Sequence, residues 1–192
     1  MLARETYFYS HEEYFALEEQ ADTKSEYWRG EIVAMAGASI NHNRISGNVF
    51  NALSNALRTK SCEAFMSDVR VWIGRRDIFT YPDVMTICGE PKFVESRTDT
   101  VTNPNLIIEV LSESTAAYDR SEKFQAYWTL PSLKEYVLID QYRMRVEYFK
   151  RVSNKEWRLL VFSNPDEVLK LNSVGVEIPL NEIYLNVTWD EE

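Results

Sequence analysis

Between residues 41 and 59 apolar side chains recur at every fourth position: Ile45, Val49, Leu53 and Leu57, with Phe50 and Ala56 widening the stripe. That period predicts a helix from about Asn41 to Thr59 lying with one face on a sheet. Ahead of it, Ser10-His11-Glu12-Glu13 has the spacing of a capping box and opens a short helix to about Glu19. Glu26 to Met35 reads as a hairpin turning near Arg29-Gly30. After the long helix the pattern changes to period two. Ala64 to Trp72 is a predicted strand, Phe79 to Ile87 a second and Asn105 to Leu111 a third. The third is apolar on both faces, as in a central strand covered on each side. The polar stretch Gly89 to Pro104 reads as a loop. A helix from about Tyr118 to Leu130 follows, with Phe124, Tyr127 and Trp128 on its packed face and Pro131 ending it. Glu135 to Asp140 is another buried strand. Arg145 to Arg151 and Trp157 to Phe162 form an outlying hairpin turning at Ser153-Asn154. Ile178-Pro179-Leu180 and a helical turn at Asn181 to Tyr184 close the chain.

The order is helix, strand, strand, strand, helix, strand, preceded by a helix and hairpin and followed by a β-rich extension. The expected class is mixed α/β; three strands in succession before the second helix exclude a doubly wound sheet. With no repeat, low-complexity segment or linker, residues 1–192 are expected to be one domain: 1–38 the front helix and hairpin, 39–140 the core, 141–192 the extension.

Composition narrows the classes. Of 192 residues 45% are hydrophobic and 27% charged, which excludes a disordered, collagen-like or coiled-coil chain. No apolar run approaches the roughly 18 residues that span a bilayer. MLARETYFYSHEEYF has no basic-then-apolar signal region, so a cytoplasmic protein without membrane association is expected. Cys62 and Cys88 have neither a CxxC spacing nor metal-ligand companions, and are expected to be buried free thiols in a reducing compartment. The net charge of −9 is concentrated near the end: residues 166–192 carry seven acids against one base. The balance argues against a protein that coats nucleic acid non-specifically, but leaves room for an enzyme reaching phosphates through a metal. There is no GxGxxG, P-loop, GxSxG or HExxH, and so no nucleotide cofactor is expected.

Five positions and one basic cluster carry candidate chemistry. Glu109 stands inside Leu106-Ile107-Ile108-Glu109-Val110-Leu111, where an unpaired carboxylate costs several kcal/mol unless a metal or basic side chain meets it; a salt-bridged structural acid at the strand end is the alternative. Asp83 follows Pro82 within a strand-like run, where proline bends or bulges the ladder and re-aims side chains; a turn-capping Asp is its plain alternative. Two inward acids on neighbouring strands repel unless a divalent ion lies between them, and oxygen donors without a His or Cys cluster point to Mg²⁺ or Mn²⁺. Lys123, beside Phe124, reads as an exposed i,i+4 partner of Asp119 or as a group reaching the acids. His42 heads the long helix, placed to touch a phosphate or cap the helix end. Glu26 stands in the front hairpin. Arg143, Arg145, Lys150, Arg151, Lys155 and Arg158 are the densest basic cluster and a candidate DNA surface, opposed by Glu147 and Glu156.

Pro82-Asp83, Glu109-x-Leu111 and Lys123 occur in this order together with Ser25-Glu26-Tyr27, Gly30 to Gly37, His42, Tyr118-Asp119-Arg120 and Pro131 to Asp140. In these motifs the chain resembles the Uma family of restriction endonucleases, a branch of the PD-(D/E)XK nuclease superfamily, over nearly its whole length. The resemblance implies a restriction-endonuclease-like core and Mg²⁺-dependent (or Mn²⁺-dependent) hydrolysis of DNA phosphodiester bonds. Asp83, Glu109 and Lys123 would be catalytic. Asp83, Glu109, the backbone carbonyl of Val110 and possible extra ligand Glu26 would hold metal, and His42, Arg143 and Arg145 would bind substrate. A homodimer is also implied. Two positions depart from the family pattern. The superfamily lysine two residues after the acid is Leu111 here, and Lys123 on the following helix takes its place. The family's Ser-Pro-Ser-Thr segment reads Ser112-Glu113-Ser114-Thr115. The broken motif and acidic balance leave an alternative: a non-cleaving nucleic-acid-binding or protein-interaction module on the same fold.

Overall fold

The computed structural model describes residues 7–94, 97–113 and 115–189. Ser114 of the Ser112–Thr115 segment and the last three acidic residues of the tail lie outside these. The chain opens with α1 (His11–Glu18), whose capping box at Ser10 and Glu13 forms as the spacing predicts. β1 (Ser25–Trp28) and β2 (Glu31–Ala34) make the front hairpin, with Arg29 and Gly30 both at positive φ. α2 (Ile40–Leu57) buries Ile45, Val49, Leu53 and Leu57. Then come β3 (Cys62–Met66), β4 (Arg70–Ile73), β5 (Ile78–Thr80), β6 (Val84–Cys88), the short β7 (Thr100–Val101) and β8 (Leu106–Leu111). α3 (Ala116–Tyr118) runs through a π-turn (Asp119–Lys123) into α4 (Phe124–Trp128). β9 (Glu135–Asp140), β10 (Val146–Ser153), β11 (Glu156–Phe162), β12 (Val168–Leu171), β13 (Val176–Pro179) and α5 (Leu180–Ile183) complete it. No helix among the described residues is long and apolar enough to cross a membrane.

The strands form a six-stranded sheet, β11-β10-β9-β8-β6-β3, a five-stranded sheet, β2-β1-β5-β4-β7, and the β12-β13 hairpin. In the larger sheet β8 and β9 are parallel and the other pairs antiparallel. The expected core order is present as α2, β3, β6, β8, α3–α4 and β9, which is a mixed α/β, restriction-endonuclease-like arrangement. The period-two rule divides the central strands between two cores. Leu106, Ile108, Val110, Val137 and Ile139 pack under α2 and the C-terminal extension. Ile107, Leu111, Tyr136 and Leu138 pack under α4 with Ala126 and Tyr127.

Several expectations are corrected. The two predicted strands between Ala64 and Ile87 are four. Each predicted strand crosses from one sheet to the other through a break, at Ser67-Asp68 and at Tyr81-Pro82-Asp83. Ser67 adopts φ 25°, Pro82 has no N–H for a ladder, and the Ser67 N–H donates to the Asp83 carbonyl at 3.2 Å, joining the two breaks. The hairpin of β10 and β11 is not outlying, because β10 pairs with β9 and extends the main sheet. Cys62 and Cys88 are not free thiols. They are register partners on β3 and β6 and form a disulfide, a proximity that spacing along the chain does not disclose.

Candidate active site

β6 and β8 place the two acids. Val84 pairs with Ile108, so the same register continued by one residue sets Asp83 opposite Glu109, and residues directly opposite share a face. By alternation that is the face under α4. The Asp83 N–H donates to Glu109 Oε2 at 3.3 Å, and the Val110 N–H donates to Asp83 Oδ2 at 2.7 Å.

The helix brings the cation. Lys123 Nζ lies 3.0 Å from Glu109 Oε1, 3.3 Å from Glu26 Oε1 and 3.7 Å from Asp119 Oδ1. Tyr127 donates its hydroxyl to Glu109 Oε1 at 2.9 Å. Asp119, Lys123 and Tyr127 are spaced by four. A four-residue α-helical step overshoots a full turn by about 40°, whereas the wider π-turn falls short of one. The two steps offset each other, so that Lys123 and Tyr127 both meet Glu109 and Asp119 stands on the far side of the ammonium. The Asp119–Lys123 pair is therefore not the exposed surface pair that spacing suggested, since Asp119 is 3% and Lys123 7% exposed.

The front hairpin supplies Glu26, whose oxygens accept from Trp28 Nε1 at 3.0 Å, from the Tyr81 N–H at 3.3 Å and from the Thr80 hydroxyl. With these donors and Lys123 around it, Glu26 holds the ammonium. His42 does not cap α2; Ser39 does, accepting from the His42 N–H at 3.1 Å. The His42 ring instead lies with Nε2 3.2 Å from Asp83 Oδ2, near enough to the Val110 backbone for both to favour its protonated form.

Arg143 and Arg145 are not brought to this cluster. They pair with Asp140 and Glu147, each at 3.0 Å, and neither lines the cavity. Arg151 donates to the carbonyls of Trp128 and Leu130. Three of the six residues of the basic cluster are thus engaged by their own neighbours.

These groups stand in a cavity of about 700 Å³ that Trp28, Met35, Tyr118 and the chain from Val33 to Ser39 help to enclose. Six of its lining residues are acids, against Lys123 and His42. The electrostatics follow. Burial pushes the Glu109 carboxyl up to about 8, with Lys123 opposing and Asp83, Asp119 and Glu26 adding to the rise. Burial also raises Asp119 against the pull of Lys123. Burial acts to lower Lys123, but Glu109, Glu26 and Asp119 outweigh it and hold the ammonium well above its ordinary value. His42 is likewise lowered by burial and raised on balance by Asp83 and the Val110 backbone.

The donor set fits a hard divalent cation. It is made of oxygens, its negative charge exceeds what one ammonium and one imidazole offset, and the buried Asp119 Oδ1 has no hydrogen-bond partner. Among the described residues no group of three or more His, Cys, Asp or Glu side chains is placed to hold a metal ion by itself, so an ion here would have two carboxylates at most and would need other oxygens. Mg²⁺ is an ion that is usually bound in that way, by one or two carboxylates together with water and substrate phosphate. Sequence reasoning did not find Asp119, Tyr127 or Thr80 as members of the site. The four-residue spacing of Asp119, Lys123 and Tyr127 was the available signal.

Residues 11–181 match the family model described as "Uma2: Putative restriction endonuclease". The chain belongs to this family. It is 48% identical over 147 residues to sll1609, an uncharacterized protein of Synechocystis sp., covering 77% of this chain and 83% of that one. It is 36% identical over 175 residues to slr1290 of the same organism, also uncharacterized, covering 91% and 90%. Its fold is similar to a crystal structure described as "a putative nuclease belonging to DUF820" from Anabaena variabilis, with TM-score 0.74 and 18% identity over 90% of this chain and 96% of that one. The family match gives membership of a family described as putative restriction endonucleases, and the Anabaena structure shows that the fold is shared.

Proposed function

We propose that this chain, acting as one domain over residues 1–192, is a divalent-metal-dependent endonuclease that hydrolyses phosphodiester bonds of DNA. The observation that carries the reading is the meeting of Asp83, Glu109 and Lys123 at the floor of one cavity, with Lys123 Nζ 3.0 Å from Glu109. Asp83, Glu109 and the Val110 carbonyl would hold Mg²⁺ or Mn²⁺. When bound, the ion supplies Lewis acidity toward the scissile phosphate and the attacking water. Lys123 orients that water and offsets charge developing on the phosphate. It is not the base, because the carboxylates around it keep its proton on. Glu26 and Tyr127 position Lys123 and Glu109. His42, on Asp83 and near the Val110 backbone, sits where a phosphate oxygen or the ion would approach. The reading includes a homodimer, with the exposed Leu159, Leu160 and Val161 on edge strand β11 as its contact; sedimentation velocity tests this. The non-cleaving alternative keeps one observation in its favour, the buried Leu111 at the superfamily's lysine position.

The test is cleavage of circular DNA, offered both single-stranded and as duplex plasmid and titrated with Mg²⁺ or Mn²⁺, beside calorimetry of metal binding. Metal-dependent nicking together with a binding heat that disappears in Asp83→Ala supports the proposal. Metal binding without cleavage would leave the non-cleaving module. Absence of both overturns the metal site.

A further inference from the structure

Resting on that nuclease reading, the cavity's walls select among nucleic-acid substrates. Glu109 and Lys123 are almost fully buried, at 3% and 7% exposure, so the scissile phosphate must enter the cavity and cannot be met on an open surface. A volume of about 700 Å³ lies within the roughly 300–1,000 Å³ of small-ligand pockets, enough for an unpaired nucleotide and far short of a double helix.

The rim points the same way. Glu31 and Glu122 line the cavity and are exposed. Among the lining residues Lys123 is the sole Lys or Arg, and three carboxylates already engage it. A duplex laid across this mouth would present one phosphate per roughly 1.7 Å of axis, with acids to meet them and, among the described lining residues, no Lys or Arg left unengaged. The inner wall instead offers aromatic faces: Trp28 and Tyr118 are both half-buried, with ring centroids 4.7 Å apart. Aromatic platforms recognise unpaired bases irrespective of sequence.

We propose that the substrate is a single strand, whose unpaired nucleotide enters past Glu31 and Glu122, lays its base against Trp28 and Tyr118, and delivers its phosphate to Asp83 and Glu109. An intact duplex is excluded by the acidic rim.

The test uses the full chain in Mg²⁺ with one end-labelled DNA 20-mer, alone and annealed to its complement. The expected result is kcat/KM at least tenfold higher on the single strand. Tyr118→Ala should lower the single-strand value about tenfold and leave duplex turnover where it was. Glu31→Lys with Glu122→Lys, both on exposed positions, should raise duplex turnover and narrow the preference. Equal or faster cleavage of the duplex overturns this proposal while leaving the nuclease reading intact. So does a Tyr118→Ala loss that is the same on both substrates. Cleavage of neither, in Mg²⁺ or Mn²⁺, removes the nuclease reading and this inference with it.

Discussion

Glu109 and Glu135 are both buried acids on adjacent parallel strands, 3% and 1% exposed, yet they solve the problem of a buried charge in opposite ways. Glu135, at the start of β9, accepts from the Asn172 N–H at 2.8 Å, the Ser173 N–H at 3.1 Å, and the hydroxyls of Tyr148 and Ser173. All its donors are neutral, and it ties the β12–β13 turn to the main sheet. Glu109, near the other end of β8, has one phenol, one backbone amide and one ammonium. It shares that ammonium with two further acids and faces a cavity. Burial alone therefore does not mark a functional acid. A surplus of like charge that neighbours leave uncompensated does.

The comparison can be broken most directly at Asp83 and Glu109. Asp83→Asn or Glu109→Gln should lower DNA cleavage by about 100- to 1,000-fold, while the melting temperature holds or rises because repulsion is relieved. Loss of stability without loss of turnover would make Glu109 a second Glu135. Lys123→Met should cost comparable activity and also about 3–5 kcal/mol of stability, because it strands buried carboxylates. Combining it with Glu109→Gln should recover stability in denaturant melts without recovering cleavage. Glu135→Ala should show the reverse profile, about 2–4 kcal/mol less stable for its orphaned donors with unchanged turnover per folded molecule.

Next in size is a pH effect. A carboxyl raised to about 8 in the folded chain keeps its proton there while the unfolded chain has lost it above about 4.5. Stability from this group is thus fully present below the unfolded value and declines as pH rises toward 8. Metal binding requires the deprotonated form. The gain in melting temperature on adding Mg²⁺ should therefore be larger at pH 8.5 than at pH 6; an equal gain at both would separate Glu109 from metal binding. The smallest expected effect is at Arg143→Ala. The side chain is outside the cavity and paired with Asp140 on the surface, so DNA affinity should change by less than about twofold.

Much of this was legible in the chain. Fourfold spacing located α2 to within two residues at each end, and a carboxylate inside an all-apolar strand singled out Glu109. What period two could not give is sheet membership. A run such as Ala64 to Trp72 alternates correctly whether it stays in one sheet or changes sheets midway, and only Pro82 hinted at a break. Pairing of Cys62 with Cys88 depends on β3–β6 register, which local pattern does not encode. Arg143 and Arg145 looked available because Glu147 was counted as an opposing charge without geometry and Asp140 only as the end of a strand. Asp119 was misjudged as exposed because an ordinary helical wheel was assumed where the backbone widens.

That widened turn has an evolutionary reading. A π-turn is a helix carrying one residue too many, and trimming a single codon between Asp119 and Lys123 would restore an ordinary spiral with a tighter backbone ladder. The same trim would swing every upstream group by about 100°, carrying Asp119 out of line with the ammonium. On the proposed reading chemistry and helical regularity are therefore in competition, and the irregularity is where selection for catalysis would leave its trace.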